Sequence, residues 1–199
     1  EEDNRAIYVA ATKLNESGWR DHSPSALSNL FADVGLRGPA ASLHLNLTAA
    51  QNNLVGNGAV PVELLAARRR AVFTYPDRTK NNYFLASATA TAELGGPWSL
   101  AADLYLNGLR QGTLNGDASE AEPCAAAAGE LCFDDDVTVT STGGVPIPDF
   151  LSGGVYGQLN RTTTKTFGYG AATQLNYNGT LLAHDDQAIF GAAFDHGRS

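Results

Sequence analysis

Residues 41–50, ASLHLNLTAA, alternate without a break. Ala41, Leu43, Leu45, Leu47 and Ala49 fall on one side of an extended strand, and Ser42, His44, Asn46 and Thr48 on the other, because strand side chains alternate with a period of two. A strand of this kind divides an apolar environment from a polar one, and that apolar environment is either a protein core or lipid. Six further segments repeat the pattern less cleanly, at 5–14, 28–37, 83–93, 98–107, 169–178 and 187–197. In the second, Leu30, Ala32, Val34 and Leu36 oppose Asn29, Asp33 and Arg37; in the last, Phe190, Ala192 and Phe194 oppose Asp195. The face of 5–14 is ambiguous, with Ile7, Val9 and Ala11 set against Tyr8, Ala10 and Thr12.

Two segments carry helical signals. SPSALSNLFADV (23–34) has a serine cap, a proline at the first helical position, and Leu27, Leu30, Phe31 and Val34 at helical spacing, so it competes with the strand reading of 28–37. PVELLAARRR (61–70) predicts a short helix inside a long connection. The connections themselves alternate: medium (15–27), short (38–40), long (50–82), short (94–97), very long (108–168) and short (183–186). Every second link is a tight turn, and the others are long and polar. A sandwich spreads its loops over both ends, whereas a transmembrane barrel has short turns at one end and long external loops at the other. Strands of roughly ten residues, tilted ~45° with a ~3.3 Å rise, cover ~23 Å, close to the apolar band of an outer membrane. The apolar faces are also rich in alanine. A sandwich core wants bulk to reach native packing density, whereas lipid fills whatever shape it meets. The pattern therefore favours an all-β, antiparallel up-and-down transmembrane β-barrel segment, with about seven strands of a larger barrel.

Composition narrows this reading. The chain has 199 residues, 43% hydrophobic and 17% charged, which is not a disordered composition. No run approaches 18 apolar residues, so no transmembrane helix is expected. A net charge of -8 argues against a nucleic-acid partner, which calls for a basic footprint. There is no methionine, and EEDNRAIYVAA runs straight into a strand pattern; we read the chain as a mature or internal piece of a longer polypeptide. Cys124 and Cys132, close together in a polar loop, suggest a disulfide and an oxidising compartment, with two free thiols as the alternative.

Several stretches, SGWRDHSPS (17–25), NNLVGNGAVPVELL (52–65), RRAVFTYPDRTKNNY (69–83), GTLNGDASEAEPC (112–124) and AIFGAAFDHGR (188–198), resemble the early barrel strands and external loops of TonB-dependent outer-membrane receptors. The resemblance covers nearly the whole chain, and its motifs are specific to the family rather than to a substrate class. It implies a piece of a 22-stranded barrel whose lumen is closed by an N-terminal plug domain. Such receptors sit in the bacterial outer membrane and take up scarce extracellular cargo, commonly iron–siderophore complexes and sometimes cobalamin, haem or sugars, driven through the TonB protein. The chain departs from the pattern: residues 1–199 read as partial barrel alone, without plug or TonB-contacting box, and seven strands, an odd number, cannot close up-and-down. The paired motifs of haem-uptake receptors do not appear.

Candidate chemistry is sparse. Arg68, Arg69 and Arg70 on the candidate loop helix could meet an anionic cargo or lipid phosphates, or form an ordinary charged helix face. His44, Asn46 and Asp103, with Asn29, Asp33 and Gln174, are expected to face the lumen, where they line the cargo path or simply hydrate the wall. His184, Asp185 and Asp186 read as a polar turn, since two further metal ligands at usable spacing are missing. Asp134–Asp136 could hold Ca²⁺ but lack a loop of alternating ligands. Gly56 to Gly58 is a lone Gly-x-Gly, and there is no nucleophile elbow or zinc-protease helix. No catalytic residue, metal or cofactor is expected, and the chain does not read as an enzyme. The alternative from another class is a soluble secreted β-sandwich that binds carbohydrate, with Trp19 or Trp98 as a stacking platform and Leu43, Leu45 and Leu47 in a core.

Overall fold

A computed structural model describes residues 4–133, 136–152 and 154–199. The alternating segments all become strands: β1 (Arg5–Glu16), β2 (Ser25–Arg37), β3 (Ala41–Val55), β4 (Asp77–Gly95), β5 (Trp98–Ala118), β8 (Gly157–Leu181) and β9 (His184–Arg198). Two short strands, β6 (Glu122–Pro123) and β7 (Leu131–Cys132), form a ribbon in the last long loop, and one helix, α1 (Val62–Ala67), lies in the loop before β4. The long strands make one antiparallel up-and-down sheet in the order β1-β2-β3-β4-β5-β8-β9. The sheet is open, because β1 and β9 do not pair with each other.

Register sorts the side chains. Paired residues in an antiparallel ladder point to the same face, so the row Ile7, Val34, Leu45, Ala88, Leu104, Ala171 and Phe194 is one continuous apolar line across all seven strands. The next row, displaced by one residue, is polar: Tyr8, Asp33, Asn46, Ser87, Tyr105, Gly170 and Asp195. This settles the ambiguous first strand, whose Ile7, Val9 and Ala11 join the apolar face.

No second sheet of comparable size covers the apolar face among the described residues, and these residues form no core between two sheets. Ile7 is 75% exposed, Leu104 56% and Phe190 60%. The buried apolar residues, Ala71, Cys124, Leu131, Cys132 and Tyr156, all lie in the loops. The accessible surface is 14013 Å² for a 20.9 kDa chain, where a compact monomer of that mass exposes about 9,000 Å². The excess sits on the two uncovered faces of the sheet.

The strands run beyond the limits that alternation predicts. The long connections shrink from 50–82 to 56–76 and from 108–168 to 119–156, and the first from 15–27 to 17–24. Apolar alternation marks only the stretch with an apolar face, whereas the backbone ladder continues where both faces are wet. The helical signal at 23–34 loses to pairing: as a strand, β2 matches twelve residues of β1 on one side and twelve of β3 on the other, and a helix would strip both neighbours of those partners. Helix α1 ends at Ala67, so Arg68–Arg70 follow it rather than lie on it. Six residues are too few to hold a helix without tertiary support. His184–Asp186 open β9, after a two-residue turn at Leu182 and Ala183 with positive φ at both positions. Alternation along β9 places Asp185 on the face opposite His184 and Asp186, so the three do not converge. Asp134 and Asp135 of the acidic triplet lie outside the described residues.

The loop before β4 rests on β5 at Gly116, whose amide donates to the Pro76 carbonyl. A Cβ on Gly116 would stand 2.5 Å from the Tyr75 carbonyl oxygen, and backbone cannot swing aside as a side chain can. Gly116→Ala is expected to weaken the docking of 70–76 by about 1–3 kcal/mol, read as faster amide exchange there. Gly112→Ala, with nothing within 4 Å of its Cβ position, should leave that exchange unchanged.

Candidate functional site

Two polar regions are candidates: the polar face of the sheet and the loops beyond its long-strand end. On the polar face, short side chains with hydroxyl, amide and carboxylate groups bond across the strands. Thr89 donates to Asp103 at 2.8 Å, Ser42 and Thr91 share a bond of 2.7 Å, and Tyr105 donates to Asp195 at 2.6 Å. Nearer the loops, Gln111 donates to Asn81 at 2.9 Å and Asn81 to Asn52 at 2.8 Å, a ladder of amides over three strands. Gly170 leaves room for the Tyr105–Asp195 bond, and Gly35 for the His44 ring. The His44 ring lies over Gly35, and the Tyr105 ring and the Asp195 carboxylate crowd the place of a Cβ on Gly170.

The sequence-predicted residues His44, Asn46 and Asp103 all lie on this face. His44 and Asp103 share one row, separated by Thr89, and Asn46 lies in the adjacent row beside Asp33. His44 Nδ1 approaches Asp33 at 3.8 Å, too long for a hydrogen bond. The three therefore form no single constellation. They belong to an acidic surface on which Asp33, Asp103 and Asp195 stand with Arg37, at the short-turn end, as the one Arg or Lys among the described strand residues of that face. Tyr105 carries the same strand parity as Asp103, so alternation could have placed it; its bond to Asp195, ninety residues away, has no local signal.

At the loop end, Asp21 joins two loops. Its carboxylate lies 2.6 Å from Arg68 and 3.7 Å from Arg70, and its amide donates to the Arg70 carbonyl at 2.9 Å. Arg68 and Arg70 are exposed, so these pairs are worth roughly 0–1 kcal/mol and position more than they stabilise. Ser23, buried beneath, donates to the Arg20 carbonyl at 2.7 Å. The result is a cleft of about 650 Å³ lined by Arg20, Asp21, His22, Arg68 and Arg70. Arg69 turns elsewhere and lines a neighbouring cleft of about 550 Å³ with Trp19, Arg20 and Val62, where the Arg20 guanidinium stacks 4.9 Å from the Trp19 ring. The arginine triplet is thus divided: two side chains are partly neutralised by Asp21, and Arg69 remains available to an anionic or aromatic ligand. Sequence spacing identified the arginines but not Asp21, which lies 47 positions before Arg68.

The last loop folds on itself. A Cys124–Cys132 disulfide, with Cα atoms 4.9 Å apart, closes the β6–β7 ribbon. Tyr156 donates to Asp149 at 2.7 Å and accepts from the Leu151 amide at 2.7 Å. Burial, reinforced by the Asp149 bond, raises the Tyr156 phenol above the ordinary tyrosine range. No group of three or more His, Cys, Asp or Glu among the described residues could hold a metal ion.

Replacing both cysteines by serine is expected to cost the ribbon about 2–3 kcal/mol, by releasing a short closed loop in the unfolded chain. Amide exchange should quicken within 119–156 and stay constant in β1–β4. Loss of protection across the whole sheet would contradict a local role.

The chain matches no protein-family model, and no curated protein is similar to it in sequence, so the site is read from its own chemistry.

Proposed function

We propose that this sheet is part of the wall of a bacterial outer-membrane β-barrel, of the kind formed by TonB-dependent receptors, and that its long loops capture a scarce extracellular nutrient such as an iron–siderophore complex. One observation carries the reading: a continuous apolar belt that no other element covers among the described residues, with a hydrogen-bonded polar face behind it. The height of the belt supports this. On both β5 and β8, ten residues separate the Trp98–Tyr177 pair from the Gly108–Phe167 pair. At ~3.3 Å per residue and ~45° tilt that is ~23 Å, against about 25 Å for the lipid-facing band of such barrels. Aromatic rings mark both limits, with Trp98 against Tyr177 at 4.9 Å at one end and Phe167 beside Tyr169 at 6.1 Å at the other, as interfacial girdles do.

In this reading the loops 17–24, 56–76 and 119–156 are external, and the turns at 38–40, 96–97 and 182–183 face the periplasm. The clefts around Arg69, Trp19 and Arg68 belong to the capture surface, and the acidic polar face belongs to the lumen beside the plug. The plug and the TonB contact would be supplied by other parts of the polypeptide.

Two tests follow. Cysteines introduced as Arg69→Cys or Ser141→Cys should react with a membrane-impermeant maleimide on intact cells, and Pro39→Cys or Pro97→Cys only after the outer membrane is opened. Labelling of the short turns on intact cells would reject the topology. Shortening 56–76 should weaken cargo uptake with the barrel still assembled.

The third test concerns facing. Leu45 lies near the middle of the belt, so Leu45→Arg in the full-length protein should cost about 2–4 kcal/mol for unfolding in lipid vesicles. Thr48→Arg, on the polar face, should cost about 0.5 kcal/mol or less. Equal penalties would contradict the assignment of the two faces.

A further inference from the structure

Beyond the belt, toward the loops, the apolar face turns basic. Along β1 the apolar run ends at Ala11 and the next residue on that face is Lys13; along β8 it ends at Phe167 and is followed by Lys165. On β5, Leu106 and Gly108 lead to Arg110; on β4, Phe84 leads through Asn82 to Lys80; on β9, Phe194 leads through His196 to Arg198. Five of the chain's thirteen lysines and arginines occupy this position, and the strands carry no carboxylate on the same face at that end. At the opposite end of the face, the described strand residues carry one cation, Arg5 on β1, and one carboxylate, Asp186 on β9. None of the five cations has an ion-pair partner among the described residues. In a chain of net charge -8, this cationic edge has no role in ion pairing within the sheet among the described residues.

Its position suggests a different role. Long cationic side chains at the edge of an apolar band lay their stems on hydrocarbon and extend their heads to the interface. Arg110, Lys165, Leu30, Phe84 and Phe167 line one shallow groove of about 860 Å³, and the Phe84 ring covers Gly108, so apolar floor and cationic rim adjoin. We propose that this edge is a docking surface for net-anionic, phosphate-bearing lipid headgroups of the leaflet at the loop end. Acyl chains lie on the belt, and Arg110 and Lys165 pair with the phosphate, Arg through its bidentate fork and Lys as a point charge. The proposal rests on the reading of the sheet as a membrane wall.

The test uses full-length protein in neutral detergent micelles, with native mass spectrometry counting retained lipid. Phosphatidylglycerol should be retained over phosphatidylcholine of the same chains. The double variant Arg110→Gln, Lys165→Gln should lose about fivefold per cation, or roughly twenty-five-fold. The charge-preserving pair Arg110→Lys, Lys165→Arg should keep most of the preference, which separates charge from packing. Equal retention of the two lipids, or an unchanged preference in the double Gln variant, would overturn the proposal. So would displacement of the lipid by inorganic phosphate, which would mark a site for the free ion. A protein that stays dispersed without detergent would overturn the wall itself. One that needs detergent yet ignores headgroup charge would overturn only the docking surface.

Discussion

Everything in this molecule depends on one backbone constraint, the in-register antiparallel ladder from β1 to β9. Each strand presents its side chains with a period of two, and a slip of one residue would turn every side chain to the other face. The ladder holds Ile7, Leu45, Leu104 and Phe194 in one row and Asp33, Asn46, Tyr105 and Asp195 in the next. Cross-strand bonds then fix the polar side. Thr89 to Asp103 and Tyr105 to Asp195 can form only in this register, so side chains and backbone agree on a single pairing. The same constraint bears on the open edges. Hydrocarbon offers no partner to an unpaired N–H or C=O, so in the membrane reading the free sides of β1 and β9 must meet further strands.

The alternation at 41–50 was legible because it is local: Leu43, Leu45 and Leu47 identify their own face without reference to any other strand. Strand limits were not, since polar stretches such as Asn81–Thr79 and Thr162–Thr164 carry no facing signal although they pair fully with β5. Ambiguity at Ile7 and Tyr8 came from an edge strand with apolar residues on both sides, and only pairing with Val34 and Asp33 resolves it. The polar candidates His44, Asn46 and Asp103 followed from parity. The loop cleft did not, because Asp21 meets Arg68 and Arg70 through loop geometry that has no period. The arginine triplet read as one feature in sequence; in space the helix end at Ala67 and the pull of Asp21 divide it.

Charge is segregated more sharply than the total of -8 suggests. The polar face is acidic at mid-height and the loop-end edge of the apolar face is basic, with a single layer of backbone between them. The strand pleat produces this directly. Neighbours such as Lys165 and Thr166, or Leu104 and Asp103, point in opposite directions. In the membrane reading, an acidic lumen would favour a cationic or neutral inner surface and disfavour free passage of anions, whereas the exposed arginines of the loops would favour anionic groups. Capture and passage would then place different electrostatic demands on one cargo.

Stability is divided in the same way. The sheet gains from its ladders and, in the proposed setting, from lipid on its belt, whereas the loops keep small cores of their own: Ala71 and Ser23 beneath the Asp21 junction, and Leu131, Tyr156 and the Cys124–Cys132 bridge in the last loop. Two surfaces join the parts. Gly116 admits the Tyr75–Pro76 backbone onto β5, and the Ser119 amide bonds the Tyr156 carbonyl at 2.9 Å. Because β5 and β8 run for 21 and 25 residues, roughly twice the length of the apolar belt, both junctions stand well beyond the belt. A loop can therefore rearrange around a ligand without disturbing a strand where it would face lipid, and the wall can keep its register while the loops above it change.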